Sequence, residues 1–87
     1  MYTITSYTKN RAKQAGLQVM PSKKKGKKID VFQNGKFLHS IGDIHYKDYP
    51  TYLEEEGKEI ADERRRLYHL RHTKQSLGEQ LSLYLLW

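Results

Sequence analysis

The chain has 87 residues, a formal net charge of +6 and a pI near 9.6. That length allows one domain with a marginal core, and the lack of cysteine excludes disulfides and thiolate metal sites as its reinforcement. No apolar run approaches the roughly 20 residues of a membrane span, and the polar start (Thr3, Thr5, Ser6, Lys9) is not a secretory signal.

Residues 1–5 read as a short extended arm, with Tyr2 and Ile4 alternating with polar neighbours. Ser6 or Thr8 can cap a short helix running to about Ala15, where Gly16 followed by Leu17 fits a glycine stop. This helix is basic (Lys9, Arg11, Lys13) and weakly apolar, so it must lean on another element. Leu17-Gln18-Val19-Met20 alternates as a short strand ended by Pro21. Lysines 23, 24, 25, 27 and 28 then crowd around Gly26. They repel one another and cannot pack inside, which predicts a flexible, solvated basic loop over 21–28.

Asn34-Gly35 favours a type I′ hairpin turn. Counted outward from it, Phe32 faces Phe37, Val31 faces Leu38 and Asp30 faces His39. Ile29, Val31 and Leu38 then share one face, and Phe32, Phe37 and Ile41 the other, so cover is expected on both sides. With the 17–20 strand, the hairpin makes a small antiparallel sheet.

After a connection over 42–47, Asp48-Tyr49-Pro50-Thr51-Tyr52-Leu53-Glu54 opens a long helix. Asp48 can cap it, and Thr51 with Glu54 also fits a capping box, so both starts stay open. The pattern runs to about Lys74 or Gln75. At about 100° per residue, Tyr49, Leu53, Ile60, Arg64, Leu67 and Arg71 fall on one stripe together with Gly57 and Tyr68, and this stripe is expected to lie on the sheet. Asp62–Arg66 and Glu54–Lys58 have favourable i,i+4 spacing. The tail, 78–87, is apolar nearly all round and cannot stand as a free surface helix.

The expected fold is therefore a single α+β domain over 1–87. A three-stranded antiparallel sheet packs against one long helix, with short N- and C-terminal helices.

A charge surplus of this size on so small a body favours polyanionic partners, DNA before RNA. The candidate nucleic-acid contacts are Lys9, Arg11 and Lys13 on the first helix, then Lys23, Lys24, Lys25, Lys27 and Lys28 in the loop. Lys58, Arg65, His69 and His72 join them as one outward flank of the long helix. Lysine suits phosphate as a compact charge and carries little sequence information. Arg64 and Arg71 fall on the inward stripe, where an arginine needs a carboxylate. For Arg64 a structural salt bridge is expected, to Asp30 or to Asp43.

The seven tyrosines can stack on bases where cations surround them. Tyr49, Tyr52 and Tyr68 read as packing residues, and Tyr2, Tyr7 and Tyr46 as the freer rings. Leu83, Leu86 and Trp87 either close the core or dock into a partner or a twin subunit. His69 and His72 are i,i+3 neighbours, yet no further ligands complete a metal site, so no metal or cofactor is expected. The stretch 68–73 is similar to a histidine-arginine box of tyrosine recombinases, but Tyr68 replaces that box's first histidine and the chain is too short for such a domain. No catalytic constellation emerges, so an enzyme is not expected.

Several stretches jointly carry a resemblance: Ser6-Tyr7-Thr8-Lys9, Ile29-Asp30-Val31-Phe32 with Asn34-Gly35-Lys36, and Ser40-Ile41-Gly42. Asp48-Tyr49-Pro50-Thr51-Tyr52, Gly57-Lys58, Arg65-Arg66-Leu67-Tyr68, Arg71-His72 and Leu86-Trp87 belong to it as well. The pattern resembles a family of small, basic, uncharacterised proteins of giant viruses and other large double-stranded DNA viruses, phages among them. It covers nearly the whole chain and departs at 77–80. The resemblance implies a viral accessory protein acting in the host cytoplasm or nucleus, or carried in the virion, and it supplies no activity. Two alternatives to nucleic-acid binding stand beside it: a virion protein docking by its tail, and an inhibitor of a host nucleic-acid enzyme.

Overall fold

The computed structural model describes residues 2–73 and 76–87. Its elements are α1 (Ser6–Gln14), β1 (Gln18–Pro21), β2 (Lys27–Gln33), β3 (Lys36–Asp43), α2 (Tyr49–Glu56), α3 (Lys58–Arg71) and α4 (Leu77–Leu85). The strands form one antiparallel sheet in the order β1-β2-β3. The α+β class, the sheet and the long helical segment all follow the expectation. The expected helix end at Lys74 or Gln75 lies outside the described residues. Among the described residues no helix is long and apolar enough to cross a membrane.

The first helix is capped by Thr5, one residue before Ser6 and three before Thr8, the two expected caps. The Thr5 hydroxyl accepts from the Thr8 backbone N–H. Thr8 itself is buried and donates from its hydroxyl to the Leu85 carbonyl at 2.8 Å, so it ties α1 to α4. In α2 the choice falls to Asp48. Its Oδ1 accepts from the Thr51 N–H at 3.1 Å and the Thr51 hydroxyl at 2.6 Å.

The hairpin corrects the expected register. Asn34 and Gly35 both take positive φ, and Phe32 pairs with Phe37 as counted. A bulge then shifts the ladder, so that Val31 pairs with His39, Asp30 with Ser40 and Ile29 with Ile41. Without the bulge, Ile41 would point away from Ile29. With it, both enter the core, because one extra residue flips every later side chain to the opposite face. Leu38, the extra residue, stays partly buried against that core.

The sheet's covered face is closed by α4 and α1. Ile29, Val31 and Ile41 pack with Ile4, Ala12, Leu81, Leu85 and Leu86. The other face carries Phe32 and Phe37, edge to face at 5.7 Å, together with Met20. Phe37 and Met20 are each about half exposed, so the second cover is lacking at that end.

The long helical segment bends at Gly57. The Tyr49 hydroxyl donates to Asp62 at 2.9 Å, although these residues would lie about 20 Å apart along a straight helix. Gly57 has φ 91° and ψ 167°, a backbone region that essentially only glycine occupies. The bend also turns the helix off the sheet. Leu53 and Ile60, expected to be buried, are exposed, and the buried residue of α3 is Ala61. Gly57→Ala should therefore destabilise the domain by about 1–3 kcal/mol through backbone strain, since no neighbouring atom obstructs the added methyl. Urea unfolding followed by circular dichroism measures it. A parent-like midpoint would mean that α2 and α3 can join another way.

Candidate nucleic-acid interface

The phase of α3 decides which cations reach solvent. Ala61 is its fully buried position, and Arg65, Tyr68 and His72 are partly buried one, two and three turns further on. The expected assignment is thus inverted. Arg65, expected outward, lies inward with its guanidinium 3.6 Å from the Tyr49 ring centroid, and its Nη2 donates to the Tyr7 hydroxyl at 3.0 Å. Its buried Nε meets no hydrogen-bond partner among the described residues. Lys58 is held by Asp62 at 2.7 Å, and the carboxyl of Asp62 sits below its usual range because Lys58 and then Tyr49 donate to it. His72 stacks on Tyr68 at 4.0 Å and lies 3.3 Å from Glu79, while His69 faces the Trp87 carbonyl at 3.5 Å. These four residues do not form a free basic flank.

Arg64 and Arg71, expected to press on the sheet, are exposed instead. The Arg64–Asp30 salt bridge does not form. Asp30 accepts from the Ser22 and Ser40 hydroxyls, each at 2.6 Å, and from the Lys23 N–H. Burial raises the Asp30 carboxyl, but these hydrogen bonds outweigh it and hold the pKa below the ordinary value. Arg64 lies over the Tyr52 ring at 5.7 Å. Neither Arg64 nor Arg71 has a carboxylate at ion-pair distance among the described residues. On the outer surface the pairs formed are Lys58–Asp62 and Arg66–Glu63, not Asp62–Arg66 and Glu54–Lys58.

Arg64 and Arg71 border a cleft of about 510 Å³. Tyr46 and Lys47, from the β3–α2 connection, also line it, with Asp43 at the end of β3. Tyr52, Tyr68 and Trp87 supply aromatic wall. Trp87 stacks on Tyr68 at 4.3 Å and 10°, and Tyr52 tilts toward Trp87 at 6.1 Å. Tyr46 is 72% exposed. Lys47 is clamped by Glu55 at 3.1 Å and Glu56 at 2.7 Å, so its charge is largely matched.

The lysine loop adjoins this cleft. Lys27 pairs across the sheet with Asp43, and the Ile44 N–H donates to the Gly26 carbonyl. Lys23, Lys24 and Lys25 are exposed. The loop is shorter than expected, because Pro21 still belongs to β1 and Lys27 opens β2. Its backbone is fastened where the Ser22 hydroxyl accepts from the Lys24 N–H while donating to Asp30.

Lys28 is a correction. It is buried, with Nζ 3.0 Å from Asp48 Oδ2. Gly42 beside it lacks a side chain, and a Cβ there would stand 3.0–3.1 Å from the Lys28 stem and 2.9 Å from Leu86. That space admits the stem between the sheet and the tail. Asp48 also accepts from the Tyr2 hydroxyl at 2.5 Å. Burial alone would raise the Asp48 carboxyl, yet the bonds from Thr51 and Tyr2 and the Lys28 ammonium hold it below the usual carboxylate range. Burial first, and then Asp48, push the Tyr2 phenol up.

Of the α1 cations, Lys9 and Lys13 are exposed. Arg11 lies over the Tyr7 and Tyr84 rings at 5.1 and 4.5 Å and donates to the Tyr84 carbonyl, so it is a packing residue. β1 runs from the Asn34-Gly35 end of the sheet toward the lysine loop. Lys13, at the end of α1, therefore lies toward the opposite end from Lys23–Lys25. The expected docking residues are also placed elsewhere: Leu83 and Leu86 are buried, and Trp87 packs on the core.

Sequence reading named Tyr46 among the freer rings but passed over Lys47 and the Arg64–Arg71 edge. Ala61, the small residue among charges, followed by Tyr68 seven positions on, was the signal for the true buried stripe. Among the described residues no group of three or more metal-ligating side chains occurs. No protein-family model matches the chain, and neither does any curated protein or any solved structure.

Proposed function

We propose that the domain binds nucleic acid, DNA by preference, through phosphate contacts that do not read sequence, as a viral accessory protein. The observation that carries this reading is the pair Arg64 and Arg71, with no carboxylate at ion-pair distance among the described residues, on an aromatic cleft beside exposed Lys23, Lys24 and Lys25. Unmatched cations release counterions when they meet phosphate, while matched ones such as Lys47 and Lys58 contribute little. Arginine adds bidentate grip, and the lysines add mobile point charges. Docking through the tail is not carried forward, because Leu83 and Leu86 have no surface to offer.

The test is fluorescence anisotropy of labelled DNA over a salt series. Binding should weaken linearly on logarithmic axes, with a slope of about −0.7 to −0.9 for each phosphate contacted. Replacing Lys23, Lys24 and Lys25 together by alanine should flatten the slope by about two to three units. Absence of binding at low salt removes the proposal.

A further inference from the structure

We infer that the cleft bordered by Arg64 and Arg71 holds one unpaired base of a single strand, with the neighbouring phosphates on the two arginines. The inference rests on the binding reading above and adds to it a seat for the base and a preference for single strands over duplex.

The cleft's size falls within the range of sites for small organic groups, about 300–1,000 Å³. Its lining is of two kinds. Tyr46 and Trp87 offer flat apolar surface, and Arg64 and Arg71 offer charge with no carboxylate at ion-pair distance among the described residues. A site for phosphate alone has no use for the rings, and an apolar site has no use for the guanidiniums. Together they match a nucleotide, whose base stacks and whose phosphate carries charge.

Tyr52 and Trp87 are partly buried in the recess, and Tyr46 stands exposed at its rim. A base in a duplex is stacked on both faces and stays out of reach of a recessed ring, so only a base already free of its stack can enter. Arg64 and Arg71 leave α3 seven residues apart, about 10 Å along the axis, a spacing from which their long side chains can reach successive phosphates. The other charged groups of the wall are answered or opposed. Lys28 is paired with Asp48, Lys47 with Glu55 and Glu56, and His72 faces Glu79. Asp43, at the end of β3, also lines the cleft, where it disfavours phosphate beside it and can accept from a base N–H.

Trp87 is the chain's single tryptophan, so its emission reports what enters the cleft. The full chain is titrated with a labelled oligodeoxythymidine of about eight nucleotides and with a labelled duplex hairpin, reading anisotropy and tryptophan emission in parallel. The single strand should quench Trp87 and bind about tenfold or more tighter than the duplex, which should leave the emission unchanged. Tyr46→Ala and Arg71→Ala alter exposed residues, and each should lower single-strand affinity by about tenfold with duplex affinity little changed. Tyr46→Phe should keep the preference.

Equal binding of both forms with Trp87 unmoved overturns the base site and leaves the phosphate-binding reading standing. No anisotropy change with either form overturns both. A preference that survives in Tyr46→Ala and Arg71→Ala alike also overturns the base site.

Discussion

Deleting residues 83–87 should abolish cooperative unfolding and leave a chain with little stable tertiary structure. Leu83, Leu85 and Leu86 are 4%, 0% and 1% exposed. Burying a leucine contributes roughly 1.5–3 kcal/mol, so three of them approach the whole net stability of a small domain, roughly 5–15 kcal/mol. The same segment supplies three backbone acceptors to two other elements, α1 and α2. Leu85 accepts from Thr8 of α1, Tyr84 from Arg11, and Leu86 from the Tyr49 N–H at 3.0 Å at the start of α2. Without them the sheet loses its covering helix, and α1 and α2 lose their anchors together. Far-UV circular dichroism on heating and in urea reads the outcome. A truncated chain with a sharp, parent-like transition would mean that the hairpin and α1 make a sufficient core alone.

Lys28→Ala should cost about 3–5 kcal/mol at neutral pH, because it strands the Asp48 carboxylate in the interior. The two side chains are 5% and 1% exposed, so solvent cannot take over the pairing. The pH dependence has a definite sign. The Asp48 pKa is lower in the folded chain than its unfolded value of about 3.9, so its share of stability is fully present above that value and is lost as pH falls through the folded pKa. In the variant the ammonium no longer offsets burial, and the carboxyl rises. The deficit against the parent should therefore be largest near neutrality and shrink in acid, where Asp48 is neutral in both. Joining Lys28→Met to Asp48→Asn should recover part of the loss, since it removes both charges. Urea midpoints across a pH series measure all three proteins. Parent-like stability of Lys28→Ala at neutral pH would contradict the buried pair.

Whereas the start of α2 was narrowed only to Asp48 or a Thr51–Glu54 box, the class, the Asn34-Gly35 turn and the strand ending at Pro21 were legible because each rests on local chemistry. So was the tail's need for cover. The bulge was not, because it depends on matching Ile41 to Ile29 across the sheet, a contest between turn geometry and core burial that no window of residues displays. The phase of α3 was misread for a related reason. A stripe counted from Tyr49 assumes one unbroken helix, and Gly57 resets the count. Lys28 looked like loop because it ends a lysine run, yet its neighbour Gly42 on the partner strand had made room for it. The candidate cleft was legible only in its ingredients, arginines and tyrosines. Their meeting depends on the bend and on the tail.

The arrangement of α4 also bears on how the chain folds as it leaves the ribosome. The three strands are complete by Asp43, but the leucines that cover them come from residues 81–86. During vectorial synthesis the finished hairpin would display Ile29, Val31 and Ile41 to water until nearly forty further residues had emerged. Solubility in that interval would fall to the lysines of the β1–β2 loop, whose mutual repulsion discourages nascent chains from pairing edge to edge.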